Sequence, residues 1–174
     1  MKYIICSLLL ALGGWHEEPP KGWTSTQNGT NTDMRPKNLP AKRLFVYTLF
    51  PVQETKHRSL TEWLKIESRK DAIQYGFLTQ NFTPETVDQI ETLTGKVEQN
   101  GKQKILMYMA FAANNQYYLA RIVTEPDQKM YSPYLSQVAA HFLRLANSEG
   151  VNVPALPQDQ AKDTQELKEV LQNY

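Results

Sequence analysis

VEQNGKQKILMYMAFAANNQYYLARIVTE, residues 97–125, is the stretch whose reading decides the fold. Asn100-Gly101 is a strong short-range hairpin signal, because a type I′ turn needs positive φ at both central residues. Asn114-Asn115 is a second, weaker signal of the same kind. Between them Ile105, Met107, Met109 and Phe111 fall on one side at period two, and Leu106, Tyr108 and Ala110 on the other. After the second turn Tyr117, Leu119, Arg121 and Val123 alternate with Tyr118, Ala120 and Ile122. Both faces are largely apolar, as in a sheet covered on both sides. The expected fold is α/β in the α+β sense: an antiparallel meander sandwiched by helices.

Outward from the meander, Ser132-Pro133 reads as the start of a strong helix. Leu135, Val138, Ala139, Phe142 and Ala146 lie at helical spacing, and Gly150 ends it. His141 falls at the edge of that apolar face and reads as a boundary residue rather than a ligand. On the other side, Thr83-Pro84-Glu85 has a helix-start grammar, a Thr cap followed by Pro. A short helical turn there, then a strand from about Glu91, is the expectation. Residues 44–52, LFVYTLFPV, read as a strand ended by Pro51. Ser59 with Glu62 matches a capping box, and Leu60, Trp63, Leu64, Ile66 and Ile73 supply an apolar stripe closed by Gly76. Residues 15–43 are polar and turn-rich. They are either a linker or the first edge strand, opening after Pro20-Lys21-Gly22-Trp23 and turning at Asn28-Gly29.

A chain of 174 residues, 41% hydrophobic, supports one domain with a core of its own. Residues 1–13 place Lys2 before an apolar run and small residues, which has the form of a secretory signal peptide. The run is short for a permanent membrane span; a buried N-terminal element and an uncleaved anchor are the alternatives. Without Lys2, the lone charged residue before Gly14, basic and acidic residues balance at 18 each. That neutrality argues against a strong grip on nucleic acid or anionic lipid, though a local patch stays open. Cys6, the single cysteine, lies inside the apolar run, so a mature chain has no disulfide and no thiolate metal site. The expected organisation is a signal peptide over 1–13, a polar segment over 14–43, the domain over 44–150, a linker over 151–162 and a C-terminal helix over 163–174.

The catalytic inventory is thin. No nucleophile elbow, zinc-protease helix, phosphate-binding loop or dinucleotide fingerprint is present. Glu54, His57, Arg58, Ser59 and Glu62 are the one place where carboxylate, imidazole and hydroxyl are close in sequence, so an exported hydrolase using His57 with Glu54 or Glu62 is the alternative function. Triads are recognised by geometry rather than sequence proximity, and a solvated loop before a capped helix accounts for these residues as well. No catalytic residue, metal site or cofactor is therefore expected. Binding is expected instead at two loops, residues 55–58 and 127–134, because loops carry binding groups on a rigid scaffold. His57, Arg58, Tyr131 and Tyr134 are the candidate contacts, the tyrosines and the arginine being hot-spot residue types.

Taken in order, several short motifs resemble the PsbP-like superfamily, which includes the bacterial DcrB-like exported proteins. They are the Pro-x-Gly-Trp opening at 20–23, LFVYTLFP at 44–51, Ser-Leu-x-x-Trp-Leu at 59–64, the Asn-Gly-Lys hairpin at 100–102, Leu-Ala-Arg-Ile-Val at 119–123 and the last amphipathic helix. The resemblance spans about residues 18–150. It implies an α/β/α sandwich and a non-enzymatic accessory or binding role, with no shared active site and so no residue to carry over. The function expected is an exported, periplasmic or secreted binding domain. Its partner would be a protein or a cell-envelope component, with membrane contact only through an uncleaved signal segment.

Overall fold

The computed structural model describes residues 17–55, 58–77 and 82–153. The signal-like segment, His57 and the expected C-terminal helix lie outside the described residues. Strands β1 (Trp23–Asn28), β2 (Asn31–Pro36), β3 (Phe45–Leu49) and β4 (Gln53–Glu54) are followed by helix α1 (Leu60–Gln74). Then come β5 (Thr83–Val87), β6 (Ile90–Gln99), β7 (Lys102–Ala113), β8 (Gln116–Thr124) and helix α2 (Gln128–Ser148). All strands join one antiparallel sheet in the order β1-β2-β3-β8-β7-β6-β5, and β4 also pairs with β8. The chain is thus an α+β fold, its sheet sandwiched between two helices.

The meander sits at the centre of this sheet, as residues 97–125 imply. Asn100 and Gly101 have φ of 53° and 72°, and Gln99 pairs directly with Lys102. Asn114 and Asn115 repeat the geometry at 50° and 59°, between Ala113 and Gln116. Period-two alternation then divides the core. Met107, Met109, Phe111, Tyr118, Ala120 and Ile122 pack with Val138, Phe142, Leu145 and Ala146 of α2. Leu106, Tyr108, Ala110, Tyr117, Leu119 and Val123 pack with Trp63, Leu64 and Ala72 of α1. The two sides carry stacked ring pairs with centroids 4.5 Å apart, Phe111–Tyr118 and Trp63–Tyr117.

Outside the meander, several expectations change. Residues 23–36 form a hairpin of the sheet, its Trp23 buried edge-on against Phe45 and Tyr47. Thr83-Pro84 opens no helix: it begins β5, which turns into β6 through Asp88 and Gln89, both at positive φ. Pro84 is tolerated because β5 is an edge strand, where a missing N–H need not break a ladder bond. Helix α2 starts at Gln128, not at Ser132-Pro133. The Asp127 side chain caps it by accepting from the Met130 N–H at 3.2 Å, which leaves Pro133 inside the helix. Ser59 and Glu62 do form the capping box of α1. Ile73, read as part of that helix's apolar stripe, is 65% exposed, and the buried line continues instead through Ser68, Asp71 and Ala72. On α2, Leu135 and Ala139 are only half-buried, while Tyr131, His141 and Leu145 join the core. Past Gly150, whose φ of 87° reverses the chain, Val151 and Val153 fold back onto the same core.

Candidate ligand-binding groove

Two polar regions stand out, one on each side of the sheet. On the α1 side Arg121 projects from the middle of β8 and donates from Nη1 to both carboxylate oxygens of Asp71, each at 2.7 Å. Its Nη2 donates to Thr48 Oγ1 at 3.3 Å, and Thr48 in turn donates to Asp33 at 2.7 Å. Tyr108 donates its hydroxyl to Asp71 at 2.6 Å. The guanidinium also lies over the Tyr75 ring, 4.2 Å from its centroid. Burial first, then the Asp71 carboxylate beside it, push the Tyr108 hydroxyl far above its ordinary pKa, so it remains a donor. The pair is buried and neutral overall, and it ties α1 to the sheet.

The second region opens on the α2 side, at the end of β8. Cross-strand register places Lys96, Ile105 and Thr124 in one row of that face, and Thr94, Met107 and Ile122 in the next. Helix α2 packs over the apolar part of these rows; at their β6 end Thr94 is buried and Thr92 and Lys96 are half-buried, and these side chains give the helix little that is apolar to pack on. The result is a hollow of about 220 Å³ between β6 and the first turns of α2, floored by Ile105, Met107 and Ile122 and walled by Thr94, Lys96 and Leu135. Residues 125–128 form its rim and also border a wider cleft holding Lys42, Arg43, Lys102 and Lys104.

The acidic groups of that rim are already engaged. Glu125 accepts from the Tyr131 hydroxyl at 2.6 Å and from Arg43 at 3.4 Å. The Tyr131 hydrogen bond above all, with help from Arg43, holds its carboxyl below the usual range; burial and the same carboxylate push the Tyr131 hydroxyl up to about 12. Asp127 caps α2 and lies 3.8 Å from Arg43. Among the described residues Lys42, Lys96 and Lys102 pair with no carboxylate. Burial and the like charge of Lys102 lower the Lys104 pKa against the pull of Glu125. The arrangement is an apolar slot with an unneutralised cationic mouth. It contains no nucleophile–base pair, and among the described residues no three His, Cys, Asp or Glu side chains gather as a metal site.

The sequence candidates divide between the two ends of the sheet. Tyr131 borders the groove but is 1% exposed, its hydroxyl held by Glu125, so it shapes the rim from inside rather than presenting a free ring. Tyr134 is half-buried beside Trp23 and Phe45 and donates to Asn38 at 3.3 Å. Arg58 is exposed, and its carbonyl accepts from the Tyr117 hydroxyl near the start of β8. At about 3.3 Å per strand residue, Tyr117 and Glu125 are roughly 25 Å apart, so the two candidate loops make no common site. Of the carboxylates in the catalytic alternative, Glu62 is engaged with Ser59 in the helix cap and Glu54 stands exposed on β4. His141 is buried; its Nε2–H donates to the Glu18 carbonyl at 2.9 Å, which leaves Nδ1 to accept from Tyr47 at 3.2 Å. Thr94, Lys96, Ile105, Ile122, Lys42 and Lys102 were not singled out as site residues by sequence reasoning. The available signal was the polar run Thr92, Thr94, Lys96 on β6, opposite an apolar β7.

No family model and no curated protein matches this chain. Among solved structures, PA94 of Pseudomonas aeruginosa, a protein of unknown function, superposes with a TM-score of 0.39 at 9% identity. The match covers 67% of this chain and 93% of that one. LpqN, involved in cell envelope biogenesis of Mycobacterium tuberculosis, gives 0.37 at 12% identity, covering 65% of this chain and 72% of its own. Scores this low carry no functional argument, and the PsbP-like resemblance rests on its sequence motifs. Among the described residues no helix is long and apolar enough to cross a membrane.

Proposed function

We propose that the protein is an exported, non-catalytic binding or accessory domain of the cell envelope, and that its contact surface is the groove at the end of β8. The observation that supports this is the pairing of an open apolar slot with lysines that no described carboxylate neutralises. Binding sites combine an apolar lining with a few placed polar groups. The buried Asp71–Arg121 network, by contrast, engages both Arg121 Nη groups within the fold and leaves only its buried Nε without a hydrogen-bond partner among the described residues. The signal-like residues 1–13 support export, and the absent catalytic motifs support a role without turnover.

Native mass spectrometry of the full chain isolated from its own host tests this reading. A molecule held by the wild-type protein and lost from Leu135→Gln, with the melting temperature unchanged, is the expected result. A retained molecule in Leu135→Gln, or no adduct at all, would remove the groove as the contact surface. A hydrolytic turnover abolished by His57→Ala alone would overturn the non-catalytic reading.

A further inference from the structure

Resting on that reading, we infer that the groove takes a single-chain amphiphile with an ionised acidic head. The chain lies along Ile105, Met107, Ile122 and Leu135, and the head meets Lys96 and the lysines of the adjoining cleft. Three observations carry this. The floor of the slot is apolar on both sheet and helix sides, so it rewards hydrocarbon rather than a sugar or a peptide backbone, whose polar groups would lose water there. Its volume, about 220 Å³, exceeds the roughly 150 Å³ that holds benzene in an engineered cavity. It falls below the roughly 300–1,000 Å³ of sites for drug-sized molecules. The slot itself has room for one hydrocarbon chain, and the wider cleft that shares its rim, about 850 Å³, leaves room for the head.

The charge at the mouth selects the head. Lys42, Arg43 and Lys102 line the adjoining cleft together with Glu125 and Asp127, and Lys96 stands on the groove wall itself; the Lys104 ammonium is turned to Gln99 and the Phe77 ring on the α1 side. Both carboxylates are already bound, to Tyr131 and Arg43 and to the α2 backbone. Four cations, Lys42, Arg43, Lys96 and Lys102, stand against these two carboxylates, so the net charge is positive, and a carboxylate or phosphate head would gain charge-assisted hydrogen bonds there. A cationic head would meet like charge. Because Lys42 and Lys102 are exposed, the attraction is screened by salt, whereas the chain contact is not.

Calorimetric titration of the full chain with dodecanoate below its micelle concentration tests the inference, with dodecyltrimethylammonium and acetate as the two partial probes. Dodecanoate is expected to saturate at one site. Dodecyltrimethylammonium should bind at least tenfold more weakly, and acetate should give no measurable heat. The Lys96→Glu/Lys102→Glu double variant should weaken dodecanoate at least tenfold at low salt, and Leu135→Gln at least fivefold, each with an unchanged circular-dichroism spectrum. Absence of saturable dodecanoate binding, equal binding of the cationic probe, or indifference to both variants overturns the ligand assignment. If the native adduct still depends on Leu135 while dodecanoate fails, the amphiphile is wrong and the groove stands. If both fail, the groove itself is wrong.

Discussion

The two faces of the central sheet both carry polar side chains and put them to opposite uses. On the α1 face Arg121, Asp71, Tyr108 and Thr48 bond one another and exclude water. On the α2 face Lys96 and Thr94 wall an apolar slot, and Lys42 and Lys102 line the cleft that shares its rim at the end of the sheet, while Lys104 turns to Gln99 and the Phe77 ring on the α1 side. A cluster of charged residues is therefore not a site by virtue of its charge. What distinguishes the second face is capacity to bind that the fold itself does not consume, next to a surface the helix fails to cover.

Breaking the closed face should have the largest effect. Asp71→Ala would leave the Arg121 guanidinium buried without its partner, and removing one member of a buried pair costs about 3–5 kcal/mol. Urea melts should show that loss, and the double replacement Asp71→Leu/Arg121→Met should recover much of it. A single-variant cost below about 1 kcal/mol would mean that water already reaches the pair and that the two faces differ less than described.

The same comparison can be drawn along α2 alone. Phe142 is fully buried, so Phe142→Ala should cost about 3–5 kcal/mol in denaturant melts. Leu135 sits one and a half to two turns earlier at the groove, half-exposed, so Leu135→Ala should cost well under the roughly 2–5 kcal/mol of a core Leu→Ala. Equal losses would show that the helix seals the groove.

The division between the faces was legible in the sequence only where periodicity is strong. Residues 97–125 encode three strands, two turns and the allocation of side chains to α1 and α2, because period-two alternation and positive-φ turn residues act locally. Pro84 was misread because a Thr-Pro pair opens a helix or an edge strand equally well, and only the sheet order decides. Ser132-Pro133 misled in the same way: Asp127, five residues before Ser132, is the better cap. Ile73 was read as buried and Asp71 passed over because the Arg121 partner of Asp71 lies 50 residues away, and no helical spacing reports a long-range ion pair. The groove was hidden for the same reason, since it forms where β6 presents Thr and Lys beside an apolar β7, a matter of register. Residues 127–134 were read as a loop from their composition, but from Gln128 onward they are the first turns of α2; they border the groove through Asp127, Gln128 and Tyr131 rather than through free aromatic rings.

A third test concerns the other flank of the α2 side, where the segment before β1 meets His141. His141 is held neutral: burial foremost, and the Arg144 charge, lower its pKa against the Glu18 carbonyl bond. The charged groups around it are Arg144 on its own helix, Lys21 and Glu17 from the N-terminal segment, and the Tyr47 hydroxyl from β3. The unfolded state then binds the proton more readily than the folded state. Stability contributed by neutral His141 is complete above the unfolded pKa of about 6.5 and is lost as pH falls through that value toward the lower folded pKa. Melts between about pH 7 and 5 should show this loss in the wild type and a flatter profile in His141→Gln. Identical profiles would show that the ring is not desolvated.

The smallest effect is the one that sharpens the comparison most. Lys42 and Lys102 stand at the mouth of the groove with no described carboxylate partner, exposed to water. Surface substitutions of this kind stay within about 0.5 kcal/mol, so Lys42→Ala and Lys102→Ala should leave the urea midpoint nearly unchanged. Lys102→Ala has a second signature. Its charge is among the causes that lower the Lys104 pKa, so removing it should move Lys104 back toward the ordinary lysine value, readable by NMR titration of the ammonium. The folded state then loses a repulsion, and the sign of any stability change should be favourable. A loss above about 1 kcal/mol in either variant would mean that these lysines hold the fold together as Arg121 does. The cationic mouth would then be a structural feature with nothing left over to recognise a ligand.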